Sequence, residues 1–234
     1  MWNTYSDLVQ AVRADHETQC ALVAGAHNFD HALIVAQYCL HIAPTGEDSS
    51  TSWVAAICHN TDRLHPEESE AQIHERVCKL VRLANLSPYE SRIAVEAIMD
   101  HSKKPHPLDG LTTKILKDAD KLANLDPLTL AVRSANAYPS YPPVNLVHLT
   151  NYPPGCNYKE PGSVLRDLYS SLEWEGICEY HQMGTHIKVP WFRMEKAIEL
   201  AKPRFTLLRT LIEFTIQSYK SVGLIPYPFP DDFK

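Results

Sequence analysis

The sequence predicts an all-α chain, and three observations carry that reading. Apolar residues recur at helical spacing through most of the first 136 positions. Residues that cap helices stand just ahead of several of those runs. No pair of alternating apolar and polar segments argues for a sheet.

The elements follow in order. Asn28 is placed to cap FDHALIVAQYCLHIA, which stops before Pro44. The polar cluster GEDSSTS leads into a short apolar helix, Trp53 to His59. Beyond Pro66, Ile73, Val77, Leu80, Val81 and Ala84 fall on one helical stripe. Ser87-Pro88-Tyr89-Glu90 joins an N-cap serine, a first-turn proline and a glutamate that can reach back, which is a capping box. The helix it opens puts Ala94, Ala97, Ile98 and His101 on one face. Thr112 or Thr113 opens KILKDADKLANL, and Asp126-Pro127 opens LTLAVRSANA. The proline- and tyrosine-rich stretch 138–162 reads as a long ordered loop or lid. Helix is expected again from Ser163 through Cys178, and from Trp191 to Tyr219 with a break or kink at Pro203. The tail LIPYPFPDDFK is too rich in proline for helix and is expected to lie across the surface.

Composition narrows the function. The chain has 234 residues, a length suited to one large domain spanning 1–234, and its 44% hydrophobic content can build a core. Its 22 basic and 28 acidic side chains leave a net charge of −6, against a nucleic-acid partner, because neutralising phosphates takes a basic face. No apolar run approaches the ~20 residues of a membrane span. The N-terminus lacks a basic-then-apolar leader, so a cytoplasmic location is expected. Six cysteines without a CxxC pair, four of them in helical apolar patterns, read as reduced thiols.

Twelve histidines are many for this length, and the question is which of them converge. His31, His59, His101 and Asp120 lie at helix faces or ends beside apolar runs. Their spacing assigns them to four different helices, and a bundle can hold a metal from several helices at once. Taken alone, His31 reads as a core or cap residue. His27 falls just before its helix and reads as structural. Asp118, ~200° around the helix from Asp120, reads as a solvent-facing or supporting carboxylate. His74 and His106 are weaker candidates for a second ion.

The order of these elements resembles the HD-domain phosphohydrolase superfamily. His31 in HNFDHALIVAQ is similar to the family's first histidine, His59 in AAICHNTDRL to the second, and Asp120 in KDADKLANLDP to its distant aspartate. His101 in EAIMDHSK, and Arg133 in the helix after KDADKL, resemble elements of the bacterial YedJ-like branch. Arg204 and Phe214 match a looser pattern further on. The resemblance implies an HD-like helical bundle holding a divalent ion (Mn, Fe, Ni, Co, Zn or Mg) on His31, His59 and Asp120. It also implies hydrolysis of a small phosphorylated substrate, with a nucleotide among the candidates. In that reading His101 orients the water or stabilises phosphoryl charge. Arg63 and Lys121 come first as phosphate clamps, ahead of Lys103, Lys104 and Arg133.

The family's paired aspartate is Asn60 here. An amide oxygen offers a cation a dipole where a carboxylate offers a full charge. Asn60 can still be a weak ligand, or Asp62 can swing in. Three accounts stay open: one metal on the remaining ligands, lost catalysis, or a deliberately altered chain. The rival functions are therefore a non-catalytic ligand-binding or scaffold module and, against the sense of Asn60, a two-iron oxygenase of the same fold. Sequence leaves the oligomeric state undecided.

Overall fold

The computed structural model describes residues 1, 3–19, 27–45, 49–137, 142–145 and 163–224. Ten α-helices are described: α1 (Ser6–Thr18), α2 (Phe29–Ile42), α3 (Ser50–Cys58), α4 (Thr61–Leu64), α5 (Glu70–Arg82), α6 (Pro88–Asp100), α7 (Leu111–Asn124), α8 (Pro127–Ala137), α9 (Val164–Ser170) and α10 (Glu195–Ser221). A 3-10 turn (Ser171–Glu175) and a two-stranded antiparallel hairpin, β1 (Ile177–Gln182) and β2 (Thr185–Pro190), lie between α9 and α10. The fold is mostly helical, as expected.

The core is built around α3. Its sequence, STSWVAAIC, carries no charge, and every residue from Ser50 to Cys58 is buried. A helix apolar or small on all sides can be surrounded, and α2, α5, α6 and α7 pack around it. The amphipathic α5 buries Ile73, Val77 and Val81 against α6, the stripe expected from spacing. Caps set the boundaries. Asn28 accepts from the His31 amide, and Ser87 with Glu90 closes the expected capping box. Asp126 accepts from the amides of Leu128 and Thr129 at the start of α8. α7 begins slightly ahead of expectation, with Gly110 rather than a threonine at its N-cap.

Two expectations fail in the C-terminal third. The helix expected to reach Cys178 ends at Ser170, and the chain from Ile177 forms a hairpin where no strand pair was foreseen. The tight turn is the reason. Met183 (φ 48°) and Gly184 (φ 77°) are both left-handed, the twist that a two-residue hairpin needs. Cys178, Ile187 and Val189 face inward, and the Tyr180 hydroxyl donates to the Pro105 carbonyl at 2.9 Å. Pro203 does not break its helix, since α10 runs through it from Glu195 to Ser221. Pro203 lies on the exposed side, where water can satisfy the carbonyl it leaves unpaired. Ala197, Ala201, Phe205, Leu208 and Ile212 hold the opposite stripe in the core. The Arg204 guanidinium stacks over Tyr38 of α2 at 5.5 Å, while Phe214 is exposed.

Most of the 138–162 stretch and the tail after Leu224 lie outside the described residues, as do Cys20, Cys156 and the Arg133 side chain. Cys39, Cys58, Cys78 and Cys178 are free thiols, as expected. No described helix is long and apolar enough to cross a membrane.

Candidate metal centre

Four helix segments deliver one side chain each to a common point. His31 lies in the first turn of α2, where the Asn28 cap takes its amide at 2.9 Å. His59 is the C-cap of α3, Asp120 lies in the last turn of α7, and His101 is the C-cap of α6. Packing of α2, α6 and α7 around α3 therefore closes separations of 19 to 89 residues in the chain. One ligand atom from each of His31, His59 and Asp120 lies within 4.8 Å of the other two. The His31 and His59 ring centroids are 5.3 Å apart, as are those of His59 and His101.

The hydrogen bonds assign the proton on two of these rings. His59 Nδ1 lies 2.6 Å from the Ala56 carbonyl, and His101 Nδ1 lies 2.6 Å from the Ile98 carbonyl. A carbonyl only accepts, so each Nδ1 carries the hydrogen. In the neutral ring, Nε2 is then a bare lone pair. His59 Nε2 is buried without a hydrogen-bond partner among the described residues and stands 3.7 Å from Asp120 Oδ1. A lone pair facing a carboxylate is repulsive unless a cation sits between them. Asp120 Oδ1 also takes His31 Nε2 at 3.1 Å and Asn124 Nδ2 at 2.9 Å. The His59 side chain is 1% exposed and that of His31 6%, whereas Asp120 is 25% exposed, so the cluster is open on the carboxylate side.

Burial pushes His59 down to about 3, the nearby Asp120 only partly opposing it. Burial would raise the Asp120 carboxyl, but the His31 hydrogen bond and the surrounding imidazoles outweigh it and hold the group well below its usual range. The centre thus presents an unprotonated imidazole and an ionised carboxylate at neutral pH, the states a cation requires. This predicts acid lability in the metal-free protein. Unfolded His59 takes a proton below about pH 6.5 while the folded form stays neutral to about 3, so stability is lost as pH falls through that window. At pH 4.5 this amounts to roughly 2–3 kcal/mol, or several degrees in melting temperature. His16, lowered by burial, acts in the same direction. Thermal melts in chelator between pH 7.5 and 4.5 check it, and His59→Gln should flatten the curve.

Asn60 is 1% exposed at the turn into α4; its Nδ2 donates to the His27 carbonyl at 3.4 Å and its Oδ1 is buried without a partner. His27 itself precedes α2, its ring edge-on to His31 at 5.8 Å. Arg63, one turn beyond Asn60, is half exposed with Nε 3.8 Å from Asp62. Lys121 is placed differently. It is buried, its ammonium donates to the Lys117 carbonyl and lies over Trp191 at 5.5 Å, and burial lowers it to about 8. Lys103 pairs with Asp100, and Lys104 lies over Tyr180. His74 and His106 lie apart from the centre: His74 neighbours Cys78, and His106 accepts from the Leu108 amide.

The expectation for Asp118 is corrected. Its carboxylate is fully buried and accepts from the amides of Arg193 at 2.6 Å and Met194 at 2.7 Å, where α10 begins. Met194 provides no side-chain cap, so Asp118 neutralises the positive end of α10 from across the core. Asp109 completes the anchor, taking Arg193 Nη1 at 2.6 Å and Lys117 at 3.0 Å. The ~200° separation that moves Asp118 away from the metal face aims it at the C-terminal helix, and sequence carries no sign of what waits there.

The family model of the HD domain matches residues 28–125. The matched segment, under half of the chain, contains His31, His59, Asn60, His101 and Asp120, and so the whole cluster. HD domains typically bind divalent metals, and the donor set here, two imidazoles and a carboxylate with one open side, fits such an ion. A crystal structure of a Lactobacillus plantarum protein from structural genomics superposes on this chain with a TM-score of 0.65. The match covers 94% of this chain and 99% of that one at 14% identity, a likeness of fold. No curated protein matches significantly.

Proposed function

We propose that the chain is a metal-dependent phosphohydrolase acting on a small phosphate ester, with nucleotides among the candidates. The observation that carries this reading is the buried, unpartnered Nε2 of His59 facing Asp120, a pair that makes chemical sense with a cation between them. His31, His59 and Asp120 hold the ion, with Asn60 Oδ1 as a weak fourth donor. A divalent ion in such a site lowers the pKa of its water and polarises a phosphoryl oxygen. The chain's own residues do the rest. His101, protonated at Nδ1, offers Nε2 as an acceptor that can orient water and take a proton. Asn124 and His31 fix the Asp120 carboxylate, so its orientation is set before anything binds. Arg63, half exposed one turn from Asn60, is the first choice to meet a phosphate; Lys121 follows, its ammonium first having to leave the Lys117 carbonyl.

Asn60 favours a second reading, a ligand-binding module that keeps part of the centre without turnover. Metal analysis of protein purified without added metal, followed by a phosphate-ester panel on the natural chain and Asn60→Asp, separates the two. Bound metal with turnover supports the hydrolase, and turnover confined to Asn60→Asp marks a crippled one. Bound metal with no turnover in either chain supports the module. Absence of both metal and turnover in both chains rejects the hydrolase.

A further inference from the structure

Asn60 leaves the centre short of a charge that, among the described residues, no second carboxylate of the ligand group supplies. Among the described residues the group around His31 and His59 contains one carboxylate, Asp120. Asp118 is committed to the amides of Arg193 and Met194. Asp62, two residues beyond Asn60, lies outside the ligand group, with Oδ2 near Arg63 and Oδ1 buried without a partner among the described residues, so it is the carboxylate the test has to separate from Asn60. Asn60 is held by its Nδ2 on the His27 carbonyl, which leaves its Oδ1 as the buried atom without a partner. A divalent ion on His31, His59 and Asp120 therefore keeps a net charge of about +1, whereas an aspartate at position 60 would cancel it.

We propose that Asn60 tunes the centre to a phosphate dianion, as a monoester or inorganic phosphate, exchanging metal affinity for anion affinity so that metal and phosphate bind cooperatively. This rests on the metal-binding reading above. The reasoning is electrostatic: with little water around His59, an uncancelled positive charge attracts a dianion more strongly than a monoanion. Linkage then requires phosphate to strengthen metal binding by the same factor that metal strengthens phosphate binding.

The test titrates Co²⁺ into metal-free natural chain and Asn60→Asp at pH 8, followed by visible absorption. Inorganic phosphate, dimethyl phosphate or no anion is present, and association of Co²⁺ with free phosphate is corrected for. Inorganic phosphate is expected to tighten Co²⁺ binding to the natural chain by roughly tenfold or more, and dimethyl phosphate by less than about threefold. Asn60→Asp should bind Co²⁺ alone roughly tenfold more tightly, with its phosphate coupling reduced to about threefold or less. Asp62→Asn should leave the natural coupling in place. Coupling in the natural chain below about threefold overturns the proposal whatever the variants do, and so does equal or larger coupling in Asn60→Asp. Failure of both chains to bind Co²⁺ at all rejects the metal-binding reading itself.

Discussion

Asp120→Ala is expected to reduce bound metal from about one equivalent to about a tenth or less by elemental analysis, and to lower phosphate-ester turnover by roughly a hundredfold or more. The size of the effect follows from geometry. Asp120 Oδ1 is where the His31 and His59 nitrogens meet, and it is the one carboxylate of that group. The milder Asp120→Asn separates a ligand role from a structural one. Asparagine can still accept from His31 and Asn124, so the local hydrogen bonds survive. It also removes the negative charge that faces the bare His59 Nε2 at 3.7 Å. Metal-free Asp120→Asn should therefore melt within about 5 °C of the metal-free natural chain while binding metal poorly. A fall of more than about 5 °C in the metal-free melt, with metal binding retained, would make Asp120 a structural residue instead.

The second large effect is at Asp118. Asp118→Ala should cost roughly 3–5 kcal/mol, or about 10 °C in melting temperature for a chain of this size. It strips the Arg193 and Met194 amides of their acceptor and removes a buried anion beside two buried cations, Lys121 and Arg193, of which Arg193 keeps Asp109. Asp118→Asn retains an acceptor oxygen and loses only the charge, so about half the loss is expected. Circular-dichroism melts of the two variants in chelator measure both. A change within about 2 °C for Asp118→Ala would remove the anchor from the account of how α10 is held.

Legibility differed along the chain according to how local the determining physics is. Helices α2, α6 and α8 could be read because their caps are made between neighbours: Asn28 with the His31 amide, Ser87 with Glu90, Asp126 with Leu128 and Thr129. The hairpin was missed because residues 177–190 offer few inward apolar side chains and a turn, Met183-Gly184, outside the most familiar hairpin pairs. Pro203 reads as a helix breaker, and it is harmless because its side of α10 meets water. Lys121 and Asp118 were the least legible of the polar residues. Asp118 reads as a solvent-facing or supporting carboxylate and Lys121 as a phosphate clamp, and both are buried against partners from elsewhere in the fold, the start of α10 and the ring of Trp191.

By itself the sequence determined the helical character and the capped boundaries of α2, α6 and α8, since periodicity and capping are properties of residues and close neighbours, while its family resemblance singled out three candidate side chains to share a cation. Only the tertiary structure decided that His59 turns a bare Nε2 toward Asp120, that Asn60 keeps a buried oxygen beside them, and that Asp118 serves the last helix. The first depends on which side chain another helix sets opposite His59, the other two on which carbonyl or amide another segment brings within hydrogen-bonding reach, and packing around α3 sets both.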